Sequence, residues 1–334
     1  MGKRIAEHKS FLTRMQRRGR NARRLVYAAL AWAAAWVLMR LPFPVLRAFC
    51  RVLVGGLAPR LHGRLAEQHL IAAFGSALTP ERRREVLRLM FRNMADLPAE
   101  ALAAAYRGPD FVRSRFLPGP GIAKWRALQA REGGMIGLTG HIGNWELLLQ
   151  LCQIDGVRPV VAVAKRIPDP RLNRLVERSG GAFGVPTLYG DSGVTAIARV
   201  LARGETLGIV PDQDIDEIGG VFVEFLGRPA YTPIGPARLA LATGATIVVA
   251  FAKRVGDRLE MIVHDPIEPD RGAPRDEEIV RLTRAWSALV EDFVREHPEQ
   301  WMWLHDRWET VPDEVASRQV ARCGPQLTAA RRSG

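Results

Sequence analysis

The sequence predicts an α/β protein: a mixed, largely parallel central sheet flanked by helices, with an N-terminal helical membrane anchor. Three observations predict it. From about residue 121 onward, short apolar runs with the length and β-branched content of buried strands alternate with helical stretches. Near the N-terminus, a strongly basic leader precedes an uncharged, tryptophan-bearing run. The apolar content is ordinary, 47% of 334 residues with a mean hydropathy of −0.05, which excludes both a disordered chain and a polytopic membrane protein.

In chain order, the basic leader (residues 1–24) comes first, with nine cations (Lys3, Arg4, Lys9, Arg14, Arg17, Arg18, Arg20, Arg23 and Arg24) opposed by Glu7 alone. Residues 25–39 (LVYAALAWAAAWVLM) are uncharged, with Trp32 and Trp36 one helical turn apart. As a helix this run covers about 22 Å, short of the hydrocarbon core of about 30 Å. Arg40, Pro42 and Pro44 stop it. The next piece, 45–57, carries Arg47 and Arg51 at i,i+4 with Phe49, Val52 and Leu53 turned away, an amphipathic pattern. No small-residue cleavage site follows and the chain stays basic, so a secretory signal does not fit. The cations at Arg40, Arg47, Arg51, Arg60 and Arg64 argue against translocation of what comes after. The expectation is therefore two membrane-associating helices over 25–64, interfacial or shallow, with the body (65–312) on the cytoplasmic side. The alternative is a helical hairpin packed on the body as ordinary core.

Within the body, Leu78-Thr79-Pro80-Glu81 reads as a helix cap with proline in the first turn, and ERRREVLRLMFRNMADL continues at helical spacing. Strands are expected at 134–139 (GMIGLT), 159–164 (PVVAVA), 206–210 (TLGIV), 245–252 (ATIVVAFA) and 259–263 (LEMIV). Helices are expected at 144–153, 170–179, 193–203, 235–243 and 276–296, and a polar tail from 313 to 334. Cys50, Cys152 and Cys323 are too few and too scattered for a disulfide framework, and no Cys/His spacing suits zinc.

The overall charge, 48 Lys and Arg against 35 Asp and Glu for a net +13, admits nucleic acid, an anionic membrane or an acidic carrier protein as partner. No nucleic-acid-binding module is recognisable, so nucleic acid is not an expected partner. In α/β domains ligands gather beyond the carboxyl ends of the strands. There the strand at 134–139 runs into Gly140-His141-Ile142-Gly143-Asn144-Trp145-Glu146. The glycines give the turn freedom, and Asn144 can cap the helix that follows. His141 then sits exposed at the strand end, with Glu146 in the helix's first turn able to point back at it. A carboxylate on one ring nitrogen fixes the tautomer and leaves the other free to take a proton from a hydroxyl. G-x-S-x-G, the P-loop, G-x-G-x-x-G and H-E-x-x-H are all absent, and Gly190-Asp191-Ser192-Gly193 reads as a turn before a helix. A base dyad without nucleophile, nucleotide site or metal fits direct transfer of an activated acyl group to a bound hydroxyl.

The context GHIGNWE resembles the H-x4-[D/E] motif of the lysophospholipid acyltransferase superfamily, and more narrowly that of the late lipid A acyltransferases, the lauroyl and myristoyl transferases acting on Kdo2-lipid A. Further blocks are similar in the expected order: Ala164-Lys165-Arg166 with Pro170, Leu172, Asn173 and Leu175; Val210-Pro211-Asp212-Gln213-Asp214 with Gly220-Val221-Phe222-Val223 and Phe225-Leu226-Gly227; Gly244-Ala245 with Phe251; and Pro298-Glu299-Gln300-Trp301-Met302-Trp303-Leu304-His305. Two positions depart from the family pattern: Ile167-Pro168-Asp169-Pro170 stands where Asn-Pro is often found, and Asp306 stands where a basic residue is expected.

The resemblance implies an acyltransferase domain over 65–312 at the cytoplasmic face of the inner membrane, with no resident cofactor. An acyl carrier protein thioester or acyl-CoA would be the co-substrate, and a lipid A precursor or related glycolipid the acceptor. It implies His141 as the base and Glu146 as its orienting partner. Asn144, Trp145, Lys165, Arg166 and Asp212 are expected at the substrate. Arg166, or the backbone N–H groups near Gly143 and Asn144, would hold the oxyanion; Arg166 and Lys165 could instead hold a phosphate. Asp212 and Asp214 either orient the site or pair with Arg166, Asp214 being expected in a local structural role. Trp301, Met302, Trp303 and Trp308 either line an acyl channel or form plain core. The rival readings are an acyltransferase for another glycolipid or lysophospholipid, a hydrolase, and a basic membrane-binding protein without catalysis.

Overall fold

The computed structural model of the chain describes residues 36–166, 184–190, 193–216 and 218–312. The expected leader, most of the apolar run at 25–39, the helix at 170–179, Cys323 and the tail from 313 lie outside the described residues.

Two long helices, α1 (Phe43–Phe74) and α2 (Pro80–Arg107), pack against each other ahead of the sheet. Proline in the first turn suits both helix starts, and the Thr79 hydroxyl accepts the Arg82 N–H as the sequence suggested. α1 runs unbroken through residues 64 and 65, so the expected division there falls inside one helix. Its inward side buries Leu46, Cys50, Ala66 and Leu70, and cations join them there. Arg47 is buried and Arg51 half-buried, both turned toward Asp96 of α2, whereas Phe49, Val52, Leu53, Leu57 and Leu61 face outward, Val52 at 78% exposure. The fully buried Asp96 demands cations, which Arg47 and Arg51 supply. No described helix is long and apolar enough to cross a membrane.

After α3 (Pro109–Arg115) and α4 (Pro120–Gln129) the α/β portion begins. Its strands are β1 (Met135–Leu138), β2 (Val160–Ala164), β3 (Thr187–Tyr189), β4 (Thr206–Ile209), β7 (Thr246–Val255) and β8 (Arg258–Val263), in the order β3-β2-β4-β1-β7-β8. All neighbours are parallel except β7 and β8. The connecting helices are α5 (Trp145–Asp155), α6 (Val194–Ala202), α7 (Gly235–Thr243) and α8 (Arg275–Glu296). Strand alternation sends Ile136, Leu138, Ile247, Val249 and Phe251 to one face, where they meet Trp286 and Phe293 of α8. Met135, Val248, Ala250 and Ala252 go to the other, with Trp125 of α4 and Leu147 and Leu151 of α5. A separate hairpin, β5 (Gly220–Phe225) and β6 (Arg228–Pro233), turns at Leu226-Gly227, both with left-handed φ (53° and 76°).

Candidate active site

β1 and β4 are hydrogen-bonded neighbours in the sheet although 67 residues separate Leu138 from its partner-strand start, Thr206; this adjacency creates the site. Their carboxyl ends bring His141, after β1, against Asp212, after β4. The loop between β1 and α5 is held from three sides. The Gly143 N–H donates to the Gln300 carbonyl (2.9 Å), the Asn144 N–H to that of Ala252 on β7 (3.4 Å), and the Met302 N–H to that of His141 (3.2 Å). Gly143 has φ +55°, and a Cβ there would lie 1.8 Å from the Ala252 oxygen, so no other residue fits this crossing.

The Asp212 carboxylate grips His141 twice: Oδ1 accepts the ring Nδ1–H (2.7 Å) and Oδ2 accepts the backbone N–H (2.7 Å). The Trp301 indole N–H donates to Oδ2 as well (2.8 Å). Burial works against an ionised Asp212, but the charge of His141 and these hydrogen bonds hold its pKa below the usual carboxylate value. For His141, burial alone would lower the pKa; the charge and hydrogen bond of Asp212, with a contribution from the charge of Glu146, raise it overall. Asp212 fixes the proton on Nδ1, so Nε2 is the basic nitrogen, and no described group bonds it. The imidazole side chain is 21% exposed. Trp145 stands edge-on to the ring at 4.9 Å between centroids.

The expectation that Glu146 holds a ring nitrogen is corrected here: Asp212 occupies that position. Glu146 makes no hydrogen bond to the imidazole and acts on it through space, its own pKa pushed up to about 7 by burial. Asn144 is fully buried and its amide is committed at both ends, Oδ1 accepting the Leu147 N–H (2.9 Å) and Nδ2 donating to Glu100 (2.7 Å). It is the helix cap that the sequence suggested, and its burial corrects the expectation of a substrate contact. The N–H groups of Gly143 and Asn144 are likewise taken by carbonyls, which removes them as free oxyanion donors. Lys165 and Arg166 follow β2 on the same edge of the sheet and are exposed, Arg166 lying 4.2 Å over the Tyr189 ring. Asp214 accepts the N–H and hydroxyl of Thr310 and donates its own N–H to His305 Nε2, a local structural role. Trp301, Trp303 and Trp308 belong to the core, at most 7% exposed, so they pack as core and line no open channel. Asp306, at the unexpectedly acidic position, caps the Trp308 N–H.

Sequence reasoning missed a second buried cluster beneath the same loop. Asp96 and Glu100 of α2 are both fully buried. Asp96 accepts from Arg47 (2.8 Å) and Arg51 (2.7 and 2.9 Å), and Glu100 accepts from Arg254 (2.7 and 3.1 Å), Arg115 (3.1 Å) and Asn144. Gln300 bridges this cluster to the loop, exchanging hydrogen bonds with the backbone of Arg254. Among the described residues no group of three or more His, Cys, Asp or Glu side chains could hold a metal.

The family model for bacterial lipid A biosynthesis acyltransferases matches residues 15–310. The chain is 28% identical over 291 residues to a lipid A biosynthesis lauroyltransferase of Escherichia coli K12, covering 85% of this chain and 91% of that protein. It is 25% identical over 289 residues to a lipid A biosynthesis palmitoleoyltransferase of the same organism, covering 83% and 89%. A phosphatidylinositol mannoside acyltransferase of Mycolicibacterium smegmatis is 27% identical over 199 residues, 58% of this chain and 63% of that protein. The chain belongs to the bacterial lipid A biosynthesis acyltransferase family, and it is an O-acyltransferase.

Proposed function

We propose that this acyltransferase moves a fatty acyl chain from an acyl carrier protein thioester to a hydroxyl of a lipid A precursor, with His141 as general base. The observation that carries the reading is the 2.7 Å contact between Nδ1 and Asp212, which leaves Nε2 unbonded on a partly exposed imidazole at the carboxyl edge of a parallel sheet. Nε2 removes the proton from the acceptor hydroxyl as the oxygen attacks the thioester carbonyl. The tetrahedral intermediate collapses with cleavage of the C–S bond, and the imidazolium returns its proton to the departing thiolate. Asp212 holds the ring and stabilises the imidazolium; Glu146 adds negative potential beside it when ionised. Lys165 and Arg166 supply cations for the oxyanion or for a phosphate of the acceptor.

The apolar outward side of α1 supports docking in the plane of an anionic membrane, at the cytoplasmic face of the inner membrane, which keeps the sheet edge near its lipid acceptor. A second reading takes another glycolipid as acceptor; the similarity to phosphatidylinositol mannoside acyltransferases favours it over a lysophospholipid.

Both readings are tested together by mass spectrometry of products formed from labelled acyl carrier protein, labelled acyl-CoA and a panel of under-acylated lipid A and mannoside acceptors. Label is expected in an ester of the lipid A precursor, from the carrier protein, and absent with His141→Ala. A folded His141→Ala protein with near-normal turnover would falsify the base assignment.

A further inference from the structure

Trp301 touches both loops that carry the His141–Asp212 pair. Its backbone lies in an antiparallel bridge with Ile142, flanked by two bonds to the loop after β1: the Gly143 N–H to the Gln300 carbonyl and the Met302 N–H to the His141 carbonyl. Its indole N–H reaches the loop after β4 and donates to Asp212 Oδ2 at 2.8 Å. The same oxygen accepts the His141 backbone N–H and Oδ1 accepts the ring Nδ1–H, both at 2.7 Å. Gly140 passes so close that a Cβ there would stand 3.0 Å from Oδ2.

Packing alone does not require the indole bond. The ring is buried, edge-on to Trp303 at 4.6 Å between centroids and tilted against Phe225 at 5.5 Å. Trp125, Trp286 and Trp308 are buried in this fold with no acceptor for the indole N–H among the described residues, and Trp303 donates to the nearby Pro298 carbonyl. Trp301 differs in aiming its N–H at a carboxylate. Hydrogen bonds to an ionised group are short and strong, so a donor on Oδ2 fixes the rotation of the carboxylate and with it the direction in which Oδ1 meets Nδ1. The donor also draws on the carboxylate's charge. Without it Asp212 becomes the stronger partner of an imidazolium, and the ring holds its proton to higher pH.

Other charged groups surround the pair, and a change at Trp301 leaves each in place. Glu146 lies near His141 on α5. The Asp214 N–H donates to His305 Nε2, and Asp306, Arg307 and Glu309 belong to the same segment as His305, Arg307 being bonded to the Tyr231 carbonyl and the Thr232 hydroxyl of β6. Lys165 and Arg166 follow β2, the neighbour of β4.

We propose that Trp301 is a positioning residue for acyl transfer: its indole N–H sets the carboxylate of Asp212 so that the His141 ring is held with Nε2 toward the acceptor. The proposal rests on His141 being the base. Trp301 is buried and lies behind Asp212, so its loss falls on turnover rather than on substrate binding.

The test is Trp301→Phe in the full chain, which keeps an aromatic ring and removes the N–H. Steady-state rates are measured across pH with labelled acyl carrier protein and an under-acylated lipid A precursor, beside an NMR titration of the His141 ring assigned with His141→Gln. We expect kcat to fall about tenfold or more with KM within about twofold, and the ring titration to move upward by about half a pH unit. Either change without the other overturns the proposal, as does a loss that falls on KM. If Trp301→Phe does not fold, position 301 is given 3-benzothienylalanine, which has the shape of tryptophan and no N–H, and the same criteria apply. If that protein also fails to fold, the indole N–H serves the fold and the proposal is overturned. Turnover by His141→Ala would instead remove the reading on which the proposal stands, so the two failures are distinguishable.

Discussion

Two buried acidic centres lie beneath the loop that carries His141, and their contacts have nearly the same lengths. Asp212 is met by an imidazole, an indole N–H and a backbone N–H at 2.7–2.8 Å. Asp96 and Glu100 are met mainly by guanidinium groups of Arg47, Arg51, Arg115 and Arg254 at 2.7–3.1 Å. Distance therefore does not separate the two; the chemistry of the partner does. Arginine stays protonated across the working range, so the cations around Asp96 and Glu100 are fixed charges. The partner of Asp212 is a group that gains and loses a proton near neutrality. One centre is built to hold still and the other to change charge.

The sharpest way to break this contrast is to make Asp212 neutral without changing its shape. In Asp212→Asn the amide N–H2 donates to Nδ1, which forces the ring proton onto Nε2 and removes the base. The equivalent change behind a catalytic imidazole elsewhere lowers kcat about ten-thousandfold with the geometry intact, and a loss of that order is expected here. Melting temperature should change little. Retention of more than about a tenth of the parent rate would return Asp212 to a structural role.

The opposite centre should answer with stability. Glu100→Ala leaves Arg254 and Arg115 without their carboxylate and the Asn144 cap without its acceptor. Removing one partner of a buried ion pair typically costs about 3–5 kcal/mol, which denaturant titration would measure. The surviving folded molecules are expected to keep most of their turnover at low temperature. An inactive but fully stable Glu100→Ala protein would erase the distinction between the two centres.

How much of this could be read from the amino acids follows the same division. Five of the six strands of the main sheet were legible as short apolar runs, whereas β3, three residues long, was not; the caps at Thr79 and Asn144 were legible because both are local. His141 at a strand end followed from those strands. Its partner did not: Asp212 lies 71 residues away, and only the placement of β4 beside β1 brings them together. Spacing favoured Glu146 because a local carboxylate is the only kind that spacing can find. Arg254 was hidden inside a strand that continues past its apolar run, and the inward turn of Arg47 and Arg51 required knowing that Asp96 was buried. The β5–β6 hairpin was obscured by Pro229 and Pro233, although Gly227 with its left-handed φ marked the turn.

Glu146 belongs to neither centre, and it tests whether the contrast extends to a third carboxylate. It has no fixed cation to hold it ionised and no hydrogen bond to the imidazole, and burial pushes its pKa from an ordinary 4.5 up to about 7. A carboxyl raised on folding contributes stability that is fully present below its unfolded pKa and is lost as pH rises through its folded value. The window here is about pH 4.5 to 7, and ionisation above it is the unfavourable state. The positive charge of His141 works the other way, so the net effect is held to about 2 kcal/mol or less. Glu146→Gln removes this titration. Between pH 5 and 8 the parent is expected to lose stability relative to the variant, by roughly that amount, in urea titrations at each pH. If the difference between the two proteins is flat across that range, Glu146 is already ionised at low pH. A cation or donor must then be reaching it, which would place it with Asp96 and Glu100.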